Sequence, residues 1–401
     1  MPAGSKLRFY IPKKVSVFAA IIAFVLSAVV TLLIVRSAHL HGGFTADADL
    51  SKPQSSHANA VPRVGGIGIV AGLLIGLIAS WVRYSDASSV FLLTLLACAM
   101  PAFISGVIED TTKRVGPGVR LLATMLAALA AALVLGAVVS RLDIPHVDEL
   151  IAWQFGLTAL KSLAAHPNAA APVALFFTVL VVAGVANAIN IIDGLNGLAS
   201  MVCMMMFTSI AYVAFRVNDA TVLALALAMV GAIAGFFLFN FPAGLIFLGD
   251  GGAYFVGFML AECAVLLVAR NPEVSAWYAA LLLCYPVWET IFSIYRRKFI
   301  RKASAGLPDG VHLHQLVLRR ISRWAIGPQE SRALSHSNSM SSPYLWLLSA
   351  CAVFPATLLW RRTGWLVALV CLFCISYVWL YSRLVKFRTP RWLRRADHRT
   401  K

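Results

Sequence analysis

Four short polar segments interrupt an otherwise apolar chain, and each carries side chains able to do chemistry. In the first, Val185 to Leu198 reads Val-Ala-Asn-Ala-Ile-Asn-Ile-Ile-Asp-Gly-Leu-Asn-Gly-Leu. Asn187, Asn190 and Asp193 follow at steps of three, which on a helix turning about 100° per residue keeps them on one arc about 120° wide. Their oxygens are hard donors of the kind that suits Mg²⁺, with Mn²⁺ as a substitute. The same groups can glue helices together through hydrogen bonds worth about 0.6 kcal/mol each. Polar groups inside hydrocarbon cost up to about 2.5–3.5 kcal/mol on insertion scales, so three on one face demand a reason, site or glue.

The second segment is Phe247-Leu-Gly-Asp-Gly-Gly-Ala-Tyr254, with Asp250 among Gly249, Gly251 and Gly252. Glycines before a helix N-terminus let backbone amides approach a phosphate while the carboxylate holds a metal. Close helix packing explains the glycines but not the aspartate. The third is Gly106-Val-Ile-Glu-Asp-Thr-Thr-Lys-Arg114, followed by Gly116, Gly118 and Arg120. Glu109 and Asp110 beside Lys113 either form a solvated helix end or supply a base or metal ligand next to phosphate-binding cations. The fourth is Pro308-Asp-Gly-Val-His-Leu-His-Gln315, then Arg319 and Arg320. His312 and His314 among arginines suit an anionic diphosphate and fit zinc poorly, since no third soft ligand is close. An ordinary basic juxtamembrane loop is the other reading. Together the four supply the inventory for metal-assisted phosphoryl transfer onto a lipid.

The elements that must position these groups are membrane helices. Of 401 residues, 60% are hydrophobic and 13% charged, with a mean hydropathy of +0.81; a soluble chain carries about 25% charged residues. The expected fold is an all-α polytopic membrane protein, one integral-membrane domain of about ten to eleven helices. The apolar runs fall at 15–35, 64–82, 90–108, 121–140, 173–192, 197–216, 221–240, 252–269, 276–295, 343–360 and 364–384. Residues 142–172 read as a loop, and no internal repeat or second domain is visible. The first run is long enough to span, so it reads as a retained helix rather than a cleaved leader. All seven cysteines lie in apolar runs, and Cys371 and Cys374 read as packing rather than as a metal or redox pair.

Alternating spans put loops 36–63, 109–120, 193–196, 241–251 and 296–342 and the tail 385–401 on one face. Loops 83–89, 142–172, 217–220, 270–275 and 361–363 fall on the other. The first face carries Arg296, Arg297, Lys298, Arg319, Arg320 and the basic tail, so the positive-inside rule makes it cytoplasmic. The basic N-terminal segment disagrees and is outweighed. The net charge of +17 is therefore a matter of topology and phosphate contacts, not of nucleic acid. All four polar segments converge on this face. A transporter would need polar groups at the midplane of broken helices, and Glu262 and Glu289 are the nearest candidates.

From Pro62-Arg-Val-Gly-Gly-Ile-Gly68 through the four segments to His314, the chain resembles the polyprenyl-phosphate N-acetylhexosamine-1-phosphate transferases, glycosyltransferase family 4. The resemblance implies that a phosphate oxygen of undecaprenyl phosphate attacks the β-phosphorus of a UDP-N-acetyl sugar, releasing UMP and leaving the anomeric bond intact. It implies Asp250 and Asn190 as Mg²⁺ ligands, and Asp110, Glu109 and Asp193 as catalytic or metal-organising groups. Asn187, Lys113, Arg120, His312, His314, Arg319 and Arg320 are implied as substrate contacts, with Asn187 and Asp193 shaping the nucleotide and metal pocket. Glu109 departs from the family's paired aspartates by one methylene, which shifts weight to Asp110. His312-Leu-His314-Gln resembles the O-antigen branch more than the peptidoglycan branch, so UDP-GlcNAc or a deoxy sugar such as UDP-FucNAc is the expected donor. UDP-MurNAc-pentapeptide is the alternative, and a solute or lipid transporter the alternative outside catalysis. The implied setting is the bacterial inner membrane with a cytoplasmic site, and a homodimer is left open.

Overall fold

The computed structural model describes residues 11–45, 61–85, 87–152, 172–300, 311–325 and 331–385. Among these the chain is helical, with no β-strand. Among the described residues ten helices are long and apolar enough to cross a membrane, and a bent pair makes an eleventh. The protein is a multi-pass membrane protein. In chain order the helices are α1 (Ile11–Arg36), α2 (Ala38–Thr45), α3 (Gly65–Tyr84), α4 (Ala87–Thr112), α5 (Pro117–Leu135) and α6 (Pro145–Ala152). They continue with α7 (Pro172–Ile192), α8 (Leu198–Arg216), α9 (Ala220–Asn240), α10 (Gly249–Arg270), α11 (Ala276–Leu282) and α12 (Cys284–Tyr295). A π-turn (Arg296–Ile300), α13 (Leu313–Ala325), α14 (Ser331–Leu359) and α15 (Thr363–Val385) complete them.

Helix α10 is the axis. Its apolar window is 94% buried, against 17% for α15 and 22% for α1, which face outwards. α10 packs chiefly on α4 and α7, while α1 fills the angle between α3 and α9. Small residues permit this: Gly68, Gly72 and Gly76 of α3 and Gly231 and Gly235 of α9 meet the α1 chain so closely that an added Cβ would strike it.

Several boundaries differ from the apolar runs, each for a local reason. α4 continues to Thr112, so Glu109 and Asp110 sit on its last helical turns rather than in a loop. It stops at Lys113, whose φ of +57 is left-handed and whose N–H donates to the Glu109 carbonyl at 2.8 Å. α5 begins on Pro117, where a missing N–H does no harm, and ends at Gly136 with φ +65. The expected span 121–140 therefore ends five residues early. α10 starts at Gly249, ahead of the expected 252, because a carboxylate from another helix supplies its cap. The run 276–295 is broken: α11 and α12 meet at a bend of 70°. The stretch 296–342 holds α13 and the first turns of α14, and α6 lies within 142–172. Residues 1–10, 153–171 and 301–310 and the basic tail 386–401 fall outside the described residues, and with them part of the charge asymmetry used to orient the chain.

Candidate active site

Asp250 stands in the first turn of α10, and three elements converge on it. Arg120 from α5 pairs with its Oδ2, Arg63 from the segment before α3 lies 3.6 Å from its Oδ1, and Asn190 Nδ2 of α7 donates to Oδ1 at 3.0 Å. One turn earlier on α7, Asn187 Oδ1 accepts from the Tyr254 hydroxyl at 3.2 Å. The Arg120 guanidinium lies 5.8 Å from the Tyr254 ring centre. The three-residue spacing thus presents Asn187 and Asn190 to α10, as expected of a shared arc.

Helix α10 reaches this position because other segments hold its N-terminus. Asp110 is buried, and its Oδ1 and Oδ2 accept the N–H groups of Asp250 and Gly251, both at 2.9 Å. The first N–H groups of a helix lack intrahelical partners, and here a carboxylate from α4 serves as the cap. Gly249, with φ +75, faces the Arg63 carbonyl and Asp110 Oδ2 where no side chain would fit. The strand-like segment before α3 is pinned alongside: Gly65 and Gly66 donate to the carbonyls of Phe247 and Leu248 at 2.9 and 3.0 Å.

Asp193 lies just past the end of α7, in a turn whose N–H reaches the Asn190 carbonyl at 3.3 Å. Removal from water pushes its carboxyl up to about 7, while the Arg63 guanidinium pulls it down by less. The His314 ring rests against Gly194, where a Cβ would come within 2.5 Å of Nε2. The His312 and His314 rings lie parallel, with centres 5.5 Å apart. His314 is therefore brought to the Asp193 turn with His312 stacked beside it.

The remaining expected residues are placed less centrally. Glu109 Oε2 accepts the Val115 N–H at 2.7 Å and so braces the α4–α5 turn. Lys113 Nζ donates to the Asp110 carbonyl at 2.9 Å. Arg319 is exposed on α13 and Arg320 half-buried. Arg63 lies in the Pro62–Gly68 segment without a motif role of its own, and the groups that clamp the site turns stand outside the four polar segments. Asn338 Oδ1 of α14 accepts the Asn196 N–H at 2.8 Å, Ser342 donates to the Asn196 carbonyl at 2.6 Å, and Asn240 Oδ1 accepts the Gly197 N–H at 2.8 Å. The dense run Ser335-His-Ser-Asn-Ser-Met-Ser-Ser342 was the available signal.

Of the two midplane candidates, Glu289 belongs to the histidine side of this site. Glu262 is buried in α10 with neither oxygen hydrogen-bonded. No cluster of three or more His, Cys, Asp or Glu arranged to hold a metal occurs among the described residues.

Residues 92–268 match the family model described as glycosyl transferase family 4. That match spans less than half of the chain. The chain is similar over 91% of its length, and 91% of the relative's, to a probable undecaprenyl-phosphate N-acetylglucosaminyl 1-phosphate transferase of Bacillus subtilis, at 23% identity. An undecaprenyl-phosphate alpha-N-acetylglucosaminyl 1-phosphate transferase of Thermotoga maritima is 33% identical over 93 residues, 23% of this chain and 30% of the relative. A phospho-N-acetylmuramoyl-pentapeptide-transferase of Lactococcus lactis is 26% identical over 62% of this chain and 70% of its own. The region matched by the glycosyl transferase family 4 model runs from α4 to α10 and so carries Asp110, Asn190, Asp193 and Asp250. Arg63, His312 and His314 lie outside it.

Proposed function

We propose that this membrane protein transfers an N-acetylhexosamine-1-phosphate, GlcNAc-1-phosphate or a deoxy N-acetyl analogue, from its UDP-sugar to undecaprenyl phosphate. The family-model match and the relatives' names support sugar-1-phosphate transfer to a polyprenyl phosphate. One observation carries the reading to these residues: Asp250 sits between Arg63 and Arg120, and the Arg120 Nε is buried with no partner. A buried guanidinium N–H left unsatisfied calls for an acceptor, and a diphosphate supplies oxygens that a forked donor matches.

In this reading Arg120 and Arg63 bind and orient the donor's phosphates, and His312 and His314 flank them from the α13 side. A phosphate oxygen of the lipid forms a bond to the β-phosphorus as the bond to the UMP oxygen breaks, and the departing UMP keeps the negative charge. The side chains fit a hard divalent cation: Asp250 offers carboxylate oxygens, Asn190, whose Nδ2 meets Asp250, carries an amide oxygen on the same group, and Mg²⁺ is usually held by one or two carboxylates plus substrate phosphates rather than by an all-protein cage. Bound Mg²⁺ supplies charge neutralisation on the transferring phosphate. The site end of the bundle faces the cytoplasm of a bacterial inner membrane, by the charge of its loops.

The test is UMP release by purified protein given Mg²⁺, undecaprenyl phosphate and a panel of UDP-N-acetyl sugars. UDP-GlcNAc or a deoxy analogue is the expected donor, and Asp250→Asn should abolish release. Release from UDP-MurNAc-pentapeptide alone would move the chain to the peptidoglycan reaction. The full-length similarity to the GlcNAc-type relative and the His312-Leu-His314-Gln sequence favour the first. No release with any donor would sink the proposal.

A further inference from the structure

Glu289 is a fully buried carboxylate on α12, within an otherwise apolar span. Such a group survives there only if its lone pairs are met. Oε1 accepts from His312 Nδ1 at 2.9 Å and from the Leu313 N–H at 3.2 Å, and Oε2 accepts from the Tyr377 hydroxyl of α15. The Leu313 contact caps α13, but capping alone does not explain the ring contact. The histidine loop has anchors of its own: the His312 N–H donates to Gln315 Oε1 at 3.1 Å. Arg296 and the Tyr381 hydroxyl both donate to the Val311 carbonyl, at 2.6 and 2.9 Å.

An ionised carboxylate can only accept, so the proton between Glu289 and His312 sits on Nδ1. With Nδ1 committed, any ligand contact of that ring runs through Nε2. The His312 ring lies parallel to His314, and His314 lies against Gly194 beside Asp193. A line of contacts thus leads from Tyr377 through Glu289 and two imidazoles to the turn that carries Asp193.

We infer that Glu289 is a positioning residue for the transfer reaction: it fixes the orientation and proton position of His312 toward the donor diphosphate, and Tyr377 holds the carboxylate in turn. This rests on the sugar-phosphate transfer proposed above. It also gives α15, which lies beyond the family match, a part in the site.

The test is a cycle of Glu289→Gln, His312→Asn and the double variant, read as kcat/KM for UMP release. Glu289→Gln keeps the shape and removes the charge, and should lower kcat/KM by about ten- to a hundredfold, as loss of an orienting partner does. The double variant should be no slower than His312→Asn alone, because the two act as one unit. In ¹⁵N-histidine spectra, the ring signal lost in His312→Asn should be the one that Glu289→Gln shifts. If Glu289→Gln does not fold, Tyr377→Phe, which removes one hydroxyl, carries the same readouts with a smaller loss. An active wild type with an indifferent Glu289→Gln, or losses that multiply in the double variant, overturns this proposal alone. A wild type inactive on every donor overturns the transfer reading and this role with it.

Discussion

Both carboxylate oxygens of Asp110 accept N–H groups from the first turn of α10, so this residue holds Asp250 in place from another helix. Asp110→Ala should then cost stability, by about 0.5–2 kcal/mol as for loss of a cap, together with activity. Asp110→Asn, which keeps one acceptor oxygen, should recover part of the stability. Thermal unfolding in detergent beside UMP release separates this from a base, whose amide variant would be stable and dead. Asp193 makes a prediction about pH. Its carboxyl is raised to about 7, so the folded state holds that proton more tightly than the unfolded chain does. Its contribution therefore falls as pH rises from the ordinary carboxylate range through about 7, then levels off. Asp193→Asn should stabilise the protein at about pH 8 more than at about pH 5, checked by the two melting temperatures. The sequence alone placed Asn187 and Asn190 on the face they occupy, because helix periodicity fixes that. It could not place Glu289 or Arg63. A carboxylate within an apolar run and an arginine before a glycine turn acquire meaning only from what another helix brings beside them.

At the scale of elements, three backbones meet at the head of α10. A Cβ on Gly66 would lie 2.4 Å from the Gly252 Cα, and one on Gly106 would lie 2.4 Å from the Gly251 N. Gly66→Ala has only backbone to push against and should destabilise by about 1–3 kcal/mol while lowering UMP release. Gly118→Ala is the control: nothing stands within 4 Å of its Cβ, and it lies within the helical α5. It should leave activity intact and raise stability by about 0.5–1 kcal/mol. Spans were legible because length and hydropathy define them, whereas their ends were not. The cap of α10 comes from α4, and the polar half of α14, which holds the Asn196 turn, reads as loop until that turn is seen against it.

For the whole molecule, the convergence of four distant segments on one end of the bundle makes a topological prediction. An impermeant thiol reagent should label Arg114→Cys and Arg319→Cys from the same side of the membrane, the cytoplasm, and His146→Cys from the other. All three positions are exposed. Labelling of the first two from opposite sides would divide the site.

The contrast between an encased α10 and an outward-facing α15 also means that the two flanks of the site answer to different surroundings. When a bilayer thickens or thins, the helices that touch acyl chains tilt to follow it. Asp250 rides on a helix walled off from lipid, so its height is set by protein alone. His312 reaches Tyr377 through Glu289, and Tyr377 belongs to α15, most of which faces outwards. A change of membrane thickness that tilts α15 would therefore reach the histidine flank through Tyr377 and Glu289.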